Sequence, residues 1–132
     1  DKCTKLNLNS NIKFTGYISH DKIVSYFQKL SVFIAVSRRE SFGVSILEAA
    51  SCGIPAITSN VGGLPEVNEN MRTGFIIEAN SAQILSDKII ELYNNDSLRE
   101  EMGFNARKKV LNSFNWEQNI EEMLKIYSKY KK

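Results

Sequence analysis

One stretch, VSRRESFGVSILEAASCGIPAITSNVGG (Val36 to Gly63), constrains the fold more than any other part of the chain. It leaves an apolar strand at Val32 to Val36, crosses a polar loop, and enters a helical pattern that opens near Phe42-Gly43 and closes at Gly53. A second buried strand, Pro55 to Thr58, comes next. Strand, loop, helix and strand in this order build a parallel sheet, and the loop leaves the carboxyl end of its strand, where such sheets bind ligands. A site is expected there first.

The chemistry of that loop suits an anion flanked by hydroxyls. Gly43 has no side chain to hold a ligand off the backbone, and the first amides of the helix behind it lack partners within the helix, so they can donate to phosphate with the dipole's help. Glu40 stands before those amides and Glu48 lies eight positions further on. A carboxylate accepts hydrogen bonds and donates none, which fits paired sugar hydroxyls. Ala49 and Ala50 leave room beside Glu48. Each feature alone has a plainer explanation, since one acid favours a helix N-terminus and another sits on a solvated face. Arg38 and Arg39 either pair with phosphate oxygens or, like most loop arginines, stay in water.

The whole string is more specific than its parts. It comprises Gly16-Tyr17-Ile18-Ser19, Ser37 through Glu40, Phe42-Gly43, Glu48-Ala49, Gly53-Ile54-Pro55, Gly62-Gly63, Pro65-Glu66 and Thr73-Gly74. On these residues the chain resembles the carboxyl-terminal, donor-binding domain of the retaining GT-B-type glycosyltransferases, glycosyl transferases group 1 or family 4-like, from about Ile12 to the terminal helix. The family's pair of glutamates matches Glu40 and Glu48. The fold implied is α/β, a partial doubly wound Rossmann-like parallel sheet of about four strands with flanking helices, half of a GT-B fold.

The resemblance also implies roles. Glu48 would hold the ribose diol, Ser41, Phe42, Gly43 and Val44 would surround the distal phosphate, and Glu40, the catalytic candidate, would grip a hydroxyl of the transferred sugar. The backbone of Gly16, Tyr17 and Ile18 would meet the nucleobase, although Tyr17 packing on the core is an equal reading. The implied reaction moves a hexosyl group, with retention, from a nucleoside-diphosphate sugar to a glycan or lipid-linked acceptor held by an amino-terminal domain, with no metal and no cofactor. A nucleotide-sugar epimerase, a phosphorylase or a non-catalytic interaction module with the same fold stays open.

Three departures accompany the match. Val36 stands where the family usually has Pro, and Ser41 where it usually has Gly. Neither change removes a functional side chain. The family's first strand and loop, whose Arg and Lys hold the diphosphate, have no counterpart here. Its sheet has six strands, and the two missing ones lie at its middle. The strands that remain are therefore expected either to close the gap by new pairing or to be covered in a homodimer.

Composition narrows the rest. With 132 residues, 42% of them hydrophobic, one core is expected, a single truncated nucleotide-sugar-binding domain over residues 1–132. Lys+Arg 17 against Asp+Glu 15 is too balanced to argue for nucleic acid. Cys3 and Cys52 form no metal spacing, and Cys52 falls where a helix packs on the sheet, so a buried thiol in a reducing, cytoplasmic compartment is expected. No apolar run approaches the ~20 residues that cross a bilayer. Membrane contact would be peripheral, at the inner face, through Lys125, Lys129, Lys131 and Lys132, residues that also answer the dipole of a last helix.

The remaining elements follow from pattern. Asp1 to Asn9 reads as the frayed end of an earlier element, and Ile12 to Thr15 as a short strand. A helix from Ser19 or His20 to Leu30, capped by Ser19, should bury Ile23, Val24, Phe27 and Leu30. His20, the one histidine, has no evident partner carboxylate and reads as a helix-start residue. Ser59 to Leu64 is a flexible turn on the rim of Glu40, able to touch the transferred sugar, and Glu66 is a first-turn acid of the helix Pro65 to Val67. Thr73 to Glu78 is the last strand. Helices at Ser81 to Tyr93, Ser97 to Leu111 and after Asn115 carry apolar stripes read as core, Trp116, Ile120, Leu124 and Tyr127 on the last of them, part of whose apolar face is left bare.

Overall fold

The computed structural model describes residues 2–130. Three strands, β1 (Phe33–Ala35), β2 (Ala56–Ser59) and β3 (Gly74–Ile77), form a parallel sheet in the order β1-β2-β3. Ile34 stands opposite Ile57, and Ile57 opposite Phe75. The helices are α1 (Lys2–Lys5), α2 (His20–Phe27), α3 (Val44–Ser51), α4 (Leu64–Val67), α5 (Ala82–Tyr93), α6 (Asp96–Ser113) and α7 (Trp116–Tyr130).

All four residues of β2 are buried, as a central parallel strand covered on both faces requires. On one face Ile57, Phe75 and Ile77 pack with Leu92 of α5 and Met102 of α6. On the other, Ala56 packs with Ile46 of α3 and with Leu64 and Val67 of α4. Phe27 of α2 stacks edge-on against Phe33, ring centroids 5.6 Å apart, and so ties α2 to β1.

The turn after α3 explains how the chain re-enters the sheet so soon. Gly53 lies in the left-handed region at φ 76, so that its own N–H reaches Ala50 O and the Ile54 N–H reaches Ala49 O. These two bonds close the helix and aim Pro55 straight into β2. Gly103 allows α6 to lie against this turn, because a Cβ there would stand 2.1 Å from Gly53 O.

Several expectations are corrected. Ile12 to Thr15 is not a strand: no strand among the described residues lies beside it, and extended backbone without a partner gains nothing from the β-propensity of its side chains. The sheet therefore has three strands, not four. Nor is the gap closed by new pairing, since among the described residues β1 pairs with β2 alone and its other edge has no strand beside it. Helix α2 ends at Phe27 instead of Leu30, and in it only Phe27 is buried, against β1 and α3, while Val24 and, beyond the helix, Leu30 are exposed. Ser19 occupies the cap position of α2, but its hydroxyl makes no capping bond. Cys52 is half-buried.

The stripe on α7 is not core. Trp116, Ile120, Leu124 and Tyr127 are all at least half exposed, and no residue of α7 is buried. Lys131 and Lys132 lie outside the described residues, as does Asp1. No helix among the described residues is long and apolar enough to cross a membrane.

Candidate functional site

The loop between β1 and α3 is built by three tethers. The Ser59 hydroxyl donates to Ser37 O at 2.6 Å, fixing the exit from β1 against the end of β2. The Gly63 N–H donates to Ser41 O at 3.2 Å. Phe42 turns to Phe114 at the end of α6, ring centroids 6.1 Å apart. The Gly62-Gly63 turn thus packs on the backbone of Glu40 to Phe42 instead of standing free on the rim. A Cβ on Gly62 would lie 1.7 Å from Glu40 O, and one on Gly63 would lie 2.6 Å from Ser41 O.

Helix α3 begins at Val44 with Gly43 as its cap residue. The Ile46 N–H is satisfied by Gly43 O at 3.0 Å, whereas among the described residues the amides of Gly43, Val44 and Ser45 donate to nothing. Three donors at the positive end of a helix are left for an anion. The structure adds two reasons for glycine at 43: its φ of 92 is left-handed, and a Cβ there would meet the Leu64 and Ile46 side chains of the core beneath the loop at 2.8 and 2.9 Å.

Of the two acids, Glu40 is exposed and its Oε1 accepts from the Ser41 N–H at 2.9 Å, a carboxylate folded onto its own loop. Glu48 lies half-exposed on the second turn of α3, facing the start of α2, with Oε1 3.9 Å from His20 Nδ1. This contact was not legible in the sequence, where the acid next to His20 is Asp21 and Glu48 lies far along the chain. It brings Glu48 close to the segment that follows Gly16, Tyr17 and Ile18. Tyr17 is 92% exposed, which removes the core-packing reading of that residue.

The two arginines part company. Arg38 Nε donates to Asn80 Oδ1 at 3.0 Å, across to the loop after β3, and lines a cavity of about 320 Å³ with Val36, Ile77, Glu78 and Ser81. Arg39 is exposed. Neither is drawn onto the α3 amides by a contact in this structure.

A second feature missed in the sequence holds the site from below. Asn68, buried after α4, directs its Nδ2 at Ala56 O, Thr58 Oγ1 and Phe75 O at 3.2, 3.0 and 3.0 Å, and its Oδ1 accepts from the Thr73 hydroxyl at 2.7 Å. One amide side chain thereby satisfies the ends of β2 and β3 together. Next to it Glu69 receives Lys109 at 2.8 Å and Arg72 at 2.7 Å. The hydrogen bond from Lys109 holds the Glu69 carboxyl below its ordinary value, chiefly against the opposing effect of burial.

Comparison with known proteins places the chain in a family. The family model described as glycosyl transferases group 1 matches residues 1–109. The chain is 35% identical over 127 residues to the capsular polysaccharide biosynthesis glycosyltransferase CapM of Staphylococcus aureus, covering 96% of this chain and 33% of that protein. It is 31% identical over 129 residues to the N-acetyl-alpha-D-glucosaminyl L-malate synthase of Bacillus anthracis, covering 95% of this chain and 34% of that protein. Among solved structures, the sucrose-phosphate synthase of Thermosynechococcus elongatus, a GT-B glycosyltransferase, superposes with a TM-score of 0.90 at 29% identity, covering 98% of this chain and 32% of that one. The chain spans about a third of the length of the curated relatives it matches.

Proposed function

Since this chain belongs to the glycosyl transferases group 1 family, we propose that it is the donor-binding half of a GT-B enzyme that moves a hexosyl group, with retention, from a nucleoside-diphosphate sugar to a glycan or lipid-linked acceptor. The observation that carries this reading is the start of α3, where the amides of Gly43, Val44 and Ser45 donate to nothing among the described residues and Glu48 stands one turn further on. The amides take the distal phosphate. Glu48 accepts from the ribose diol, Gly16 to Ile18 border the base, and Glu40 accepts from a hydroxyl of the sugar being moved.

Charge develops on the leaving diphosphate as the glycosidic bond breaks. Fixed N–H donors and the helix dipole stabilise that charge without reorganising, so this half contributes electrostatic catalysis and no proton transfer. The reading calls on no metal. Acceptor binding falls to the rest of the polypeptide, and the reaction takes place in the cytoplasm. The residues described here bind a donor weakly by themselves and transfer nothing.

Calorimetry of the full-length protein with UDP, GDP and ADP tests this. Glu48→Gln keeps the shape and removes the charge, and hydrogen bonds to a charged group contribute about 1.5–3 kcal/mol. Affinity for the nucleotide that binds should fall about 10- to 100-fold. Unchanged affinity would reject the donor site and favour an interaction module that has kept only the fold.

A further inference from the structure

His20 opens α2, immediately after the segment Gly16 to Ser19, and presents an 89% exposed imidazole to Glu48. The separation of 3.9 Å between Nδ1 and Oε1 is too wide for a direct hydrogen bond, which needs about 2.7–3.2 Å. It suits a shared partner. An oxygen placed about 2.8 Å from each atom would subtend an angle near 90° between them, well within the range a hydroxyl tolerates.

The two groups also differ in what they offer. Glu48 only accepts, so a sugar hydroxyl that donates to it keeps its own lone pairs unanswered, whereas an imidazole N–H supplies the missing donor. We propose that His20 and Glu48 form a two-sided clamp on one ribose hydroxyl of a nucleoside diphosphate, and that the clamp selects ribose over deoxyribose. This rests on the donor-binding reading given above. His20 is then a binding residue in its own right, not only the first residue of a helix. Its high exposure leaves the ring free to rotate onto the hydroxyl, and its place beside the base-facing segment puts it at the ribose rather than at the phosphates.

The test is calorimetric, on the full-length protein, with UDP, GDP and ADP and with the 2′-deoxy and 3′-deoxy forms of whichever binds. The variants are His20→Ala, His20→Asn and Glu48→Gln. A neutral hydrogen bond corresponds to about a 2- to 10-fold change in affinity, so His20→Ala should weaken the ribonucleotide by that factor. It should bind the deoxy form lacking the clamped hydroxyl as well as wild type does. Asparagine, whose amide nitrogen stands near the place of Nδ1, should restore most of the loss. Equal weakening of ribo and deoxy forms, or no weakening at all, overturns the clamp. If His20→Ala is silent while Glu48→Gln loses affinity, only the clamp falls. If Glu48→Gln is silent, or if no nucleotide binds wild type, the donor site and the clamp fall together.

Discussion

Gly62→Ala separates the positioning of Glu40 from the stability of the fold. The ideal Cβ at this position stands 1.7 Å from Glu40 O, against 3.4 Å for ordinary contact, so the two loops must part by about 1.7 Å or the turn must be rebuilt. Gly62 also has φ 53, a left-handed conformation that costs a non-glycine residue about 1–2 kcal/mol. Neither neighbour yields cheaply. The opposing atom is backbone, and the next residue is already tied by its N–H to Ser41 O at 3.2 Å. A misplacement on the order of 1 Å can cost about 100-fold in rate, so kcat/KM for sugar transfer by the full-length enzyme should fall by about that factor. Nucleotide affinity, which rests on Glu48 and the α3 amides, should change by less than about 3-fold, a difference near 0.6 kcal/mol. Gly103→Ala is the matched control, because its Cβ would lie 2.1 Å from Gly53 O, a backbone clash at the other end of α3. That variant should lose thermal stability and keep wild-type kcat/KM per folded molecule. Steady-state kinetics beside thermal melts read both. Wild-type kcat/KM in Gly62→Ala, with stability lowered as in the control, would refute the idea that this turn sets the place of Glu40.

Asn68→Ala removes the donor shared by Ala56 O, Thr58 Oγ1 and Phe75 O and the acceptor of the Thr73 hydroxyl, and each net hydrogen bond contributes about 0.5–1.5 kcal/mol, so urea unfolding should show a loss of roughly 3 kcal/mol. Asn68→Asp should lose more than the alanine variant, since it sets a carboxylate against two carbonyl oxygens. The pH dependence of stability has a sign fixed by Glu69. Its folded pKa is depressed, first by the Lys109 hydrogen bond, so its contribution is complete above the ordinary carboxylate range and is lost as pH falls through the folded value. Melting temperatures between about pH 6 and pH 3 should therefore decline less steeply in Lys109→Met than in wild type.

The local elements were legible in the letters. The apolar runs at Val32 to Val36, Pro55 to Thr58 and Thr73 to Glu78 became β1, β2 and β3 with ends shifted by a residue or two. The helical periods became α2, α3, α5, α6 and α7, and the Asn115 side chain accepts from the Gln118 N–H at 2.8 Å, as its cap position demands. Capping and periodicity depend on neighbours a few residues away, so a sequence displays them directly. The Asn95 cap of α6, two residues ahead of the expected start at Ser97, was missed although its chemistry is of the same kind.

What the sequence determined by itself was the strand, loop, helix and strand that place unpaired amides behind Gly43 and Glu48 on the following turn. Tertiary structure alone decided what surrounds them. It set Gly62 against Glu40, His20 beside Glu48, Arg38 on Asn80, and Asn68 under two strands, and it left Ile12 to Thr15 without a strand to join. Those contacts join residues that are far apart along the chain or depend on a partner strand, and neither circumstance writes a period into the sequence. Burial follows the same rule: apolar residues at helical spacing are covered at Leu85, Ile89 and Leu92 of α5 and bare on α7, because only a neighbouring element can exclude water from a helix face.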